Sequence, residues 1–394
     1  MDRIGEILSR GVTELIERDN LEKKLRGKEK LRVKYGIDPT GNKIHIGHAI
    51  PFWKLKEFQD LGHKIVLILG DFTARIGDPS DKMAERKPLS EEEVKDNMET
   101  YLDQISKILD LKKTEIRHNS DWHDKSTKSD LITEAMNFTV NQMIQRDNFA
   151  ERFRLSKPIG LHEFLYPLLQ GYDSVVVKAD LEIGGNDQYF NLLAGRTLQK
   201  KFGQKAQDIM TLSLLTGDDG RKMSKSYNNC IFIDDPADQM YGKAMAIDDK
   251  LISQYLLLAT DISTDKIKKI EKDLRSGANP RNAKRELARE IVKRYYGEKT
   301  ALIAEETFDR TFVRKELPSE IDEALIIDKN WPLADLLEYL GLTKSKSEAR
   351  RLIDQGGIKI DGAVIGDREA TIKPKDGVII QVGKRKFKRL KIDK

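Results

Sequence analysis

The residues with the most chemical content fall in three short stretches far apart along the chain. His45-Ile46-Gly47-His48 stands where a β-rich run gives way to a helical pattern. Imidazoles three positions apart share one helix face, and the first helical turn has backbone N–H groups with no intrahelical acceptor. Such a start can hold an anion, and Gly47, lacking a side chain, lets a flat ring lie against the backbone. The plainer alternative is a solvent-facing helix start. Lys222-Met223-Ser224-Lys225-Ser226 places two ammonium groups and two hydroxyls in a loop between Gly217 and Cys230. That set suits the departure of pyrophosphate, and Gly217 and Gly220 would let the loop close over a substrate. In the third stretch Tyr166, Gln170 and Asp173 stand at i, i+4 and i+7 and line one helix face.

The elements around these groups alternate. Leu31–Ile37 reads as a strand ending in the turn Asp38-Pro39-Thr40-Gly41, a helix runs from about Ile46 to Gly62, and Lys64–Leu69 reads as a buried strand. Ser90 and Glu93 predict a capping box before a helix reaching about Leu109. Strand Thr114–Arg117, helices Leu131–Arg146 and His162–Tyr172, strand Leu181–Ile183, helix Gln188–Phe202 and strand Asp208–Leu215 follow. This alternation predicts an α/β fold, a Rossmann-like parallel sheet covered by helices, with ligands at the carboxyl ends of its strands. We expect this catalytic domain over residues 1–230. From 231 to 317 helical periodicity takes over, and 318–330 reads as a linker. Residues 331–394 offer a helix, a Gly356-Gly357 stop, an Asp361-Gly362 hairpin turn and short strands, a small α+β domain.

Composition bounds the function. With 394 residues, 39% hydrophobic and 34% charged, the chain is long enough for two or three domains of a soluble protein. It has no run of eighteen apolar residues, and Met1–Asp19 is charged throughout, so neither a membrane span nor a secretory signal is expected. A single cysteine, Cys230, and six histidines without an HExxH pair exclude a disulfide framework and a multi-cysteine zinc site. A reducing cytoplasm fits, and no protein-built metal site is expected. Trp331–Lys394 carries fifteen Lys/Arg against nine Asp/Glu, leaving −1 of the formal +5 to the other 330 residues. A positive excess confined to the tail suggests a local polyanion contact, the alternative being a solvated basic end.

The first two motifs resemble the HIGH and KMSKS signatures of class I aminoacyl-tRNA synthetases. Five fixed letters recur by chance at roughly one in three million positions. The resemblance covers nearly the whole chain, and its closest form is similar to the bacterial tyrosyl-tRNA synthetases, in the subgroup that spells the second motif KMSKS. Ile76-Gly77-Asp78-Pro79-Ser80, followed by Lys82 and Arg86, is similar to that family's GDPSG segment and basic loop. The stretch Tyr166–Asp173 resembles its tyrosine-binding helix, and Gly184-Gly185-Asn186-Asp187-Gln188 its GGSDQ turn. The tail resembles the small RNA-binding fold of a ribosomal small-subunit protein.

What the resemblance implies is specific. Tyr166, Gln170 and Asp78 would hold the ammonium of L-tyrosine, and Asp173 its phenolic hydroxyl. Thr40, His45, His48, Lys82, Arg86, Lys222 and Lys225 would stabilise the departing pyrophosphate. Gly36, Asp38, Gly47, Gly185, Asp187, Lys225 and Ser226 would receive ATP, with Gln188 and Tyr35 near the amino acid. Magnesium would accompany ATP through its phosphates, transfer RNA would be the second substrate, and the enzyme would be a homodimer. One position departs. The family usually reads Tyr-Cys-Gly-Phe-Asp-Pro-Thr before its HIGH motif, whereas this chain has Lys34-Tyr35-Gly36-Ile37-Asp38-Pro39-Thr40. The family's tyrosine falls on Lys34, which leaves open the second contact to the substrate hydroxyl. A tryptophanyl enzyme, a small nucleotidyltransferase and a non-catalytic RNA-binding protein are the rival readings. The absence of GxxxxGK[ST] and GxGxxG sequences excludes the commoner nucleotide-binding loops.

Overall fold

A computed structural model describes residues 2–79, 90–221, 223, 229–314, 321–383 and 386–393. Lys82, Arg86, Lys222, Lys225 and Ser226 lie outside the described residues. The chain divides into two compact units, Met1–Ala304 and Glu305–Lys394. Among the described residues no helix is long and apolar enough to cross a membrane.

The first unit is built on six strands: β1 (Val12–Ile16), β2 (Arg32–Ile37), β3 (Lys64–Leu69), β4 (Glu115–His118), β5 (Leu181–Gly185) and β6 (Asp208–Leu212). Their order across the sheet is β1-β6-β5-β2-β3-β4. β2 to β6 are mutually parallel and β1 joins β6 antiparallel. The apolar runs of β3 and β6 are buried almost throughout, as strands with helices on both faces must be. The order reverses between β2 and β5, and their ladder is short. Only Val33↔Leu181 and Lys34↔Glu182 are paired, so the carboxyl ends diverge and leave a crevice beside Gly36 and Gly184.

The expected parallel core is present, with local differences. The stretch read as helix Leu131–Arg146 is three helices, Lys128–Ala135, Val140–Ile144 and Asp147–Arg154. The first two open with capping boxes at Thr127/Asp130 and Thr139/Gln142. The helix read as His162–Tyr172 is a 3-10 turn, Leu161–Phe164, then an α-helix from Tyr166 to Val177 with Pro167 in its first turn. β1 went unread because its five residues show no clean alternation of burial.

Four helices, Ala237–Met245, Ile252–Ala259, Thr264–Arg275 and Pro280–Tyr296, follow in this unit, and a further one, Glu298–Phe308, runs past its end at Ala304. Among the side chains that fasten them to the sheet region are Arg10 and Trp53. Arg10, just before β1, donates to the carbonyls of Leu256, Leu257, Thr260 and Ile262, which helix Ile252–Ala259 leaves open at its end. Trp53 donates to Tyr295 Oη at 3.1 Å, with the Arg294 guanidinium 4.1 Å over its ring.

In the second unit five strands run in the order β10-β9-β12-β13-β7. They are β7 (Glu323–Ile327), β9 (Ile358–Ile360), β10 (Ala363–Val364), β12 (Ile379–Val382) and β13 (Lys386–Asp393), while β8 (Trp331–Pro332) pairs separately with β11 (Thr371–Ile372). Helices Leu333–Tyr339 and Lys346–Asp354 close a core of Leu336, Leu337, Ala349, Ile353, Ile358 and Ile380. The hairpin is as expected, with Ile360 opposite Ala363 and both Asp361 and Gly362 at positive φ. The segment 318–330 differs from the linker reading: β7 lies inside it and pairs parallel with β13 from Glu323 to Ile327.

Candidate active site

At the crevice the structure gathers residues from five separate stretches. Tyr35, Gly36, Asp38, Thr40, Gly47, His48, Asp78, Tyr166, Gln170, Asp173, Gly185, Asp187 and Gln188 all line one cavity. His45 does not line it. It is the N-cap of helix Ile46–Asp60, its Nδ1 accepting from His48 N at 3.2 Å and its ring stacked on His48 at 3.6 Å. The first imidazole thus orients the second, and Gly47 and His48 of that turn line the cavity. Two backbone bonds fix this helix start from the far side, Ile46 N to Ile231 O and Ile233 N to Ile44 O. Residues 231–233 lie a few positions after the second motif in sequence.

Glycines keep the cavity open. A Cβ on Gly36 would meet nothing within 4 Å, so that space is available to a ligand. A Cβ on Gly70 would fall 2.0 Å from Asp38 Oδ1, and one on Gly185 would fall 2.4 Å from Asp187 Oδ1. Asp38 is held by Thr73 Oγ1 at 2.8 Å and Tyr166 Oη at 2.9 Å. Burial, with Asp78 and Asp173 nearby, nonetheless pushes its carboxyl up to about 7. Burial and Asp78 raise Asp187 likewise. A cavity that gathers buried carboxyl groups in this way favours the entry of a cation.

At one end of the helix face, Gln188 Nε2 donates to Asp78 Oδ2 at 2.6 Å and Asn191 Nδ2 donates to both Gln188 Oε1 and Gln170 Oε1. Arg146, its guanidinium 5.1 Å from the rings of both Phe149 and Phe190, brings positive charge near Asp78 and Asp187. Seven residues along the helix, Asp173 is 3% exposed. Its Oδ1 accepts from Trp122 Nε1 and His123 Nε2, both at 2.9 Å, and Oδ2 lies 3.5 Å from Asn119 Nδ2.

Lys34 resolves the departure noted in the sequence. It is fully buried, its Nζ bound to Gln170 O at 2.8 Å and Ser174 Oγ at 2.7 Å and paired with Glu182 Oε1 at 2.8 Å. Glu182 also accepts from Gln170 Nε2 at 3.3 Å, so the lysine braces the helix from beneath and does not enter the cavity. Tyr35 points to the opposite sheet face, edge-on to Phe52 at 5.3 Å, away from the helix that carries Asp173. Sequence reasoning missed Thr73, Asn119, Trp122, His123, Arg146 and Asn191. The single legible signal was Asn119-Ser120-Asp121-Trp122-His123 itself, a polar and aromatic cluster directly after a short strand.

A parallel sheet broken at its switch point, followed by an α-helical part and a small five-stranded unit, is the layout of a class I tRNA synthetase with a C-terminal RNA-binding module. The family model for class I tRNA synthetases of tryptophan and tyrosine matches residues 26–313, and that for the S4 domain matches 331–378. The solved C-terminally truncated mitochondrial tyrosyl-tRNA synthetase of Aspergillus nidulans is 22% identical, with a TM-score of 0.64 over 79% of this chain and 94% of that one. A tryptophanyl-tRNA synthetase of Plasmodium falciparum reaches a TM-score of 0.58 at 16% identity, over 77% of this chain and 87% of that one, so the fold alone does not separate the two. Sequence does. The tyrosine–tRNA ligase of Thermotoga maritima is 48% identical over 387 residues, covering 98% of this chain and 96% of that protein. The chain belongs to the bacterial tyrosine–tRNA ligases.

Proposed function

We propose that the chain activates L-tyrosine with ATP, forming tyrosyl-adenylate and pyrophosphate, and passes tyrosine to its transfer RNA with release of AMP. The observation that carries this reading is the Tyr166–Asp173 helix face. It presents Tyr166 with neighbouring Asp78 at one end, the buried Asp173 roughly 10 Å further along the axis, and Gln170 between them. An ammonium at the first end and a hydroxyl at the second describe tyrosine. Phenylalanine would leave the Asp173 carboxylate without its partner, a cost that supports rejection. Tyrosyl-tRNA synthetase is itself the standing example of that principle, so its magnitude is not an independent result.

No nucleophilic side chain or general base is needed. The tyrosine carboxylate is ionised at neutral pH and attacks the α-phosphorus; a new P–O bond forms as the bond to the pyrophosphate oxygen breaks. Catalysis is then positioning and stabilisation of charge on the leaving group. His48 and the helix start that His45 caps, together with Thr40, are arranged for phosphate oxygens, with Lys82, Arg86, Lys222 and Lys225 as the cations of the reaction. Gly36, Gly47, Gly185 and Asp187 leave room for nucleoside, Asp38 sits between the two substrates, and Ser226 would meet phosphate. Tyr35 is reassigned from the amino acid to the wall on the ATP side. Asn119 takes the second hydroxyl contact that Lys34 cannot supply. Magnesium would accompany ATP through its phosphates. When bound it would neutralise phosphate charge.

Transfer RNA is met by helices Ala237–Phe308 and by the basic C-terminal unit, in the cytoplasm. Homodimer formation is supported by apolar side chains exposed along one stretch: Ile132, Met136, Val140, Phe153, Leu155 and Leu161, each 42–80% accessible. ATP–pyrophosphate exchange with tyrosine, tryptophan and phenylalanine tests the reading. Tyrosine should dominate, and exchange driven as well by tryptophan would overturn it.

A further inference from the structure

His123 has no role in the reaction as described, yet it is buried, polar and bonded to the carboxylate on which substrate choice turns. We propose that His123 is a positioning residue for tyrosine selectivity, holding Asp173 so that Oδ2 is the oxygen presented to the substrate hydroxyl. The inference rests on the tyrosine reading above.

Three observations carry it. The segment after β4 is pinned from below: Asp71 accepts from Ser120 N at 2.9 Å, Ser120 Oγ at 2.8 Å and Phe72 N at 3.0 Å, and Asn119 N donates to Leu69 O at 3.1 Å. On that segment the His123 ring, 4% exposed, lies 5.1 Å from the Phe72 ring and 6.1 Å from the Tyr172 ring, so packing holds it in place. Its Nε2 and Trp122 Nε1 both reach Asp173 Oδ1 at 2.9 Å, while Oδ2 has only Asn119 at 3.5 Å among the described residues.

A carboxylate is two-fold symmetric, so two donors on one oxygen fix the plane of the group, not which oxygen is which. Fixing the plane leaves the lone pairs of the other oxygen aimed into the cavity. Donation to ionised Asp173 requires the imidazole proton on Nε2, which defines the tautomer. Without His123 that oxygen would be held by one indole N–H, leaving the carboxylate free to turn about that bond. A hydroxyl would then find a poorer acceptor, and phenylalanine a smaller penalty.

The test is ATP–pyrophosphate exchange with tyrosine and with phenylalanine, using full-length parent, His123→Leu and His123→Gln, each checked by thermal melting. Leu keeps bulk without a donor; Gln places an amide N–H near the position of Nε2. In the Leu variant kcat/KM for tyrosine should fall about 10- to 100-fold, mainly through KM, while the value for phenylalanine stays nearly constant. Gln should restore most of the selectivity ratio. If the Leu variant does not fold, Trp122→Phe removes the other donor and must lower the ratio while Gln preserves it. Equal losses for both substrates, or a Gln variant no better than Leu, would reduce His123 to packing and overturn the proposal. A parent with no preference for tyrosine would instead sink the tyrosine reading, and this inference with it.

Discussion

Asp38 is the residue whose charge state the site controls most directly. Its carboxyl is pushed up to about 7 in the folded protein, against 3.8 in an ordinary setting, mainly by burial and then by Asp78 and Asp173. The folded state therefore holds a proton that the unfolded chain gives up between about pH 4 and pH 7. Stability falls as pH rises through that window, and the unfavourable contribution is complete above it. Asp38→Asn should raise the stability of the ligand-free enzyme by roughly 1–3 kcal/mol at pH 8 and hardly at all at pH 4, read by thermal melting at the two values. Tyrosine binding works in the opposite sense. Its ammonium favours the charged carboxylate, so affinity should weaken as pH drops below 7 in the parent and stay flatter in the variant. At the other end of the site, Asp173→Ala should abolish tyrosine activation or collapse discrimination against phenylalanine, measured by exchange; an intact ratio would remove Asp173 from recognition. The residues that resemblance supplied as motifs were legible. Thr73, Asn119 and His123 were not, because each acts through one hydrogen bond to an aspartate 35 to 54 positions away, and no local spacing encodes such a bond.

Elements built on strong periodicity were readable from sequence, and those that restart within a few residues were not. Lys64–Leu69 and the Ser90 capping box fell where expected, since an apolar run and a paired cap are local signals. The stretch Leu131–Arg146 reads as one helix because its apolar positions continue, while Thr139 and Gln142 signal a new start. β2 and β5 show what a local reading cannot supply. Lys34 and Glu182 look like polar intrusions in apolar strands until the strands lie side by side, where they are register partners in the short β2–β5 ladder. Lys34→Met should cost about 3–5 kcal/mol by leaving Glu182 charged and buried, and Lys34→Met with Glu182→Gln should recover most of that. A urea-unfolding cycle over the single and double variants measures it. Two losses that simply add would show that the pair is not coupled.

Across the whole molecule, the boundary that matters lies earlier than the sequence suggested. A cut after Lys329 would leave β7 attached to the first unit with its partner β13 gone and Ile326 stripped of its core. A cut after Arg314 leaves helix Glu298–Phe308 whole and keeps β7 with β13, taking only Glu305–Arg314 from the second unit. The shortened protein should form tyrosyl-adenylate at nearly the parental rate, since every described residue of the cavity lies before it. It should charge transfer RNA poorly at physiological salt. The lost Lys344, Lys346, Arg350 and Arg351 would also flatten the salt dependence of binding, by about 0.7–0.9 in log–log slope per phosphate no longer neutralised. Filter binding across a salt series reads this, and an unchanged slope would return the basic tail to a solvated end.

Arg10 ties a single guanidinium to four carbonyls more than 240 positions away. For the end of helix Ile252–Ala259 to fray, that arginine must let go, and β1 beside it must loosen from β6. Local opening of the helices and loss of the sheet edge are thereby one event. In hydrogen–deuterium exchange, the amides of Ile252–Ala259 and those of β1 should lose protection together, with one opening free energy. Arg10→Met should lower that free energy for both segments alike, so that one substitution near the amino terminus hastens exchange in a helix some 240 residues downstream.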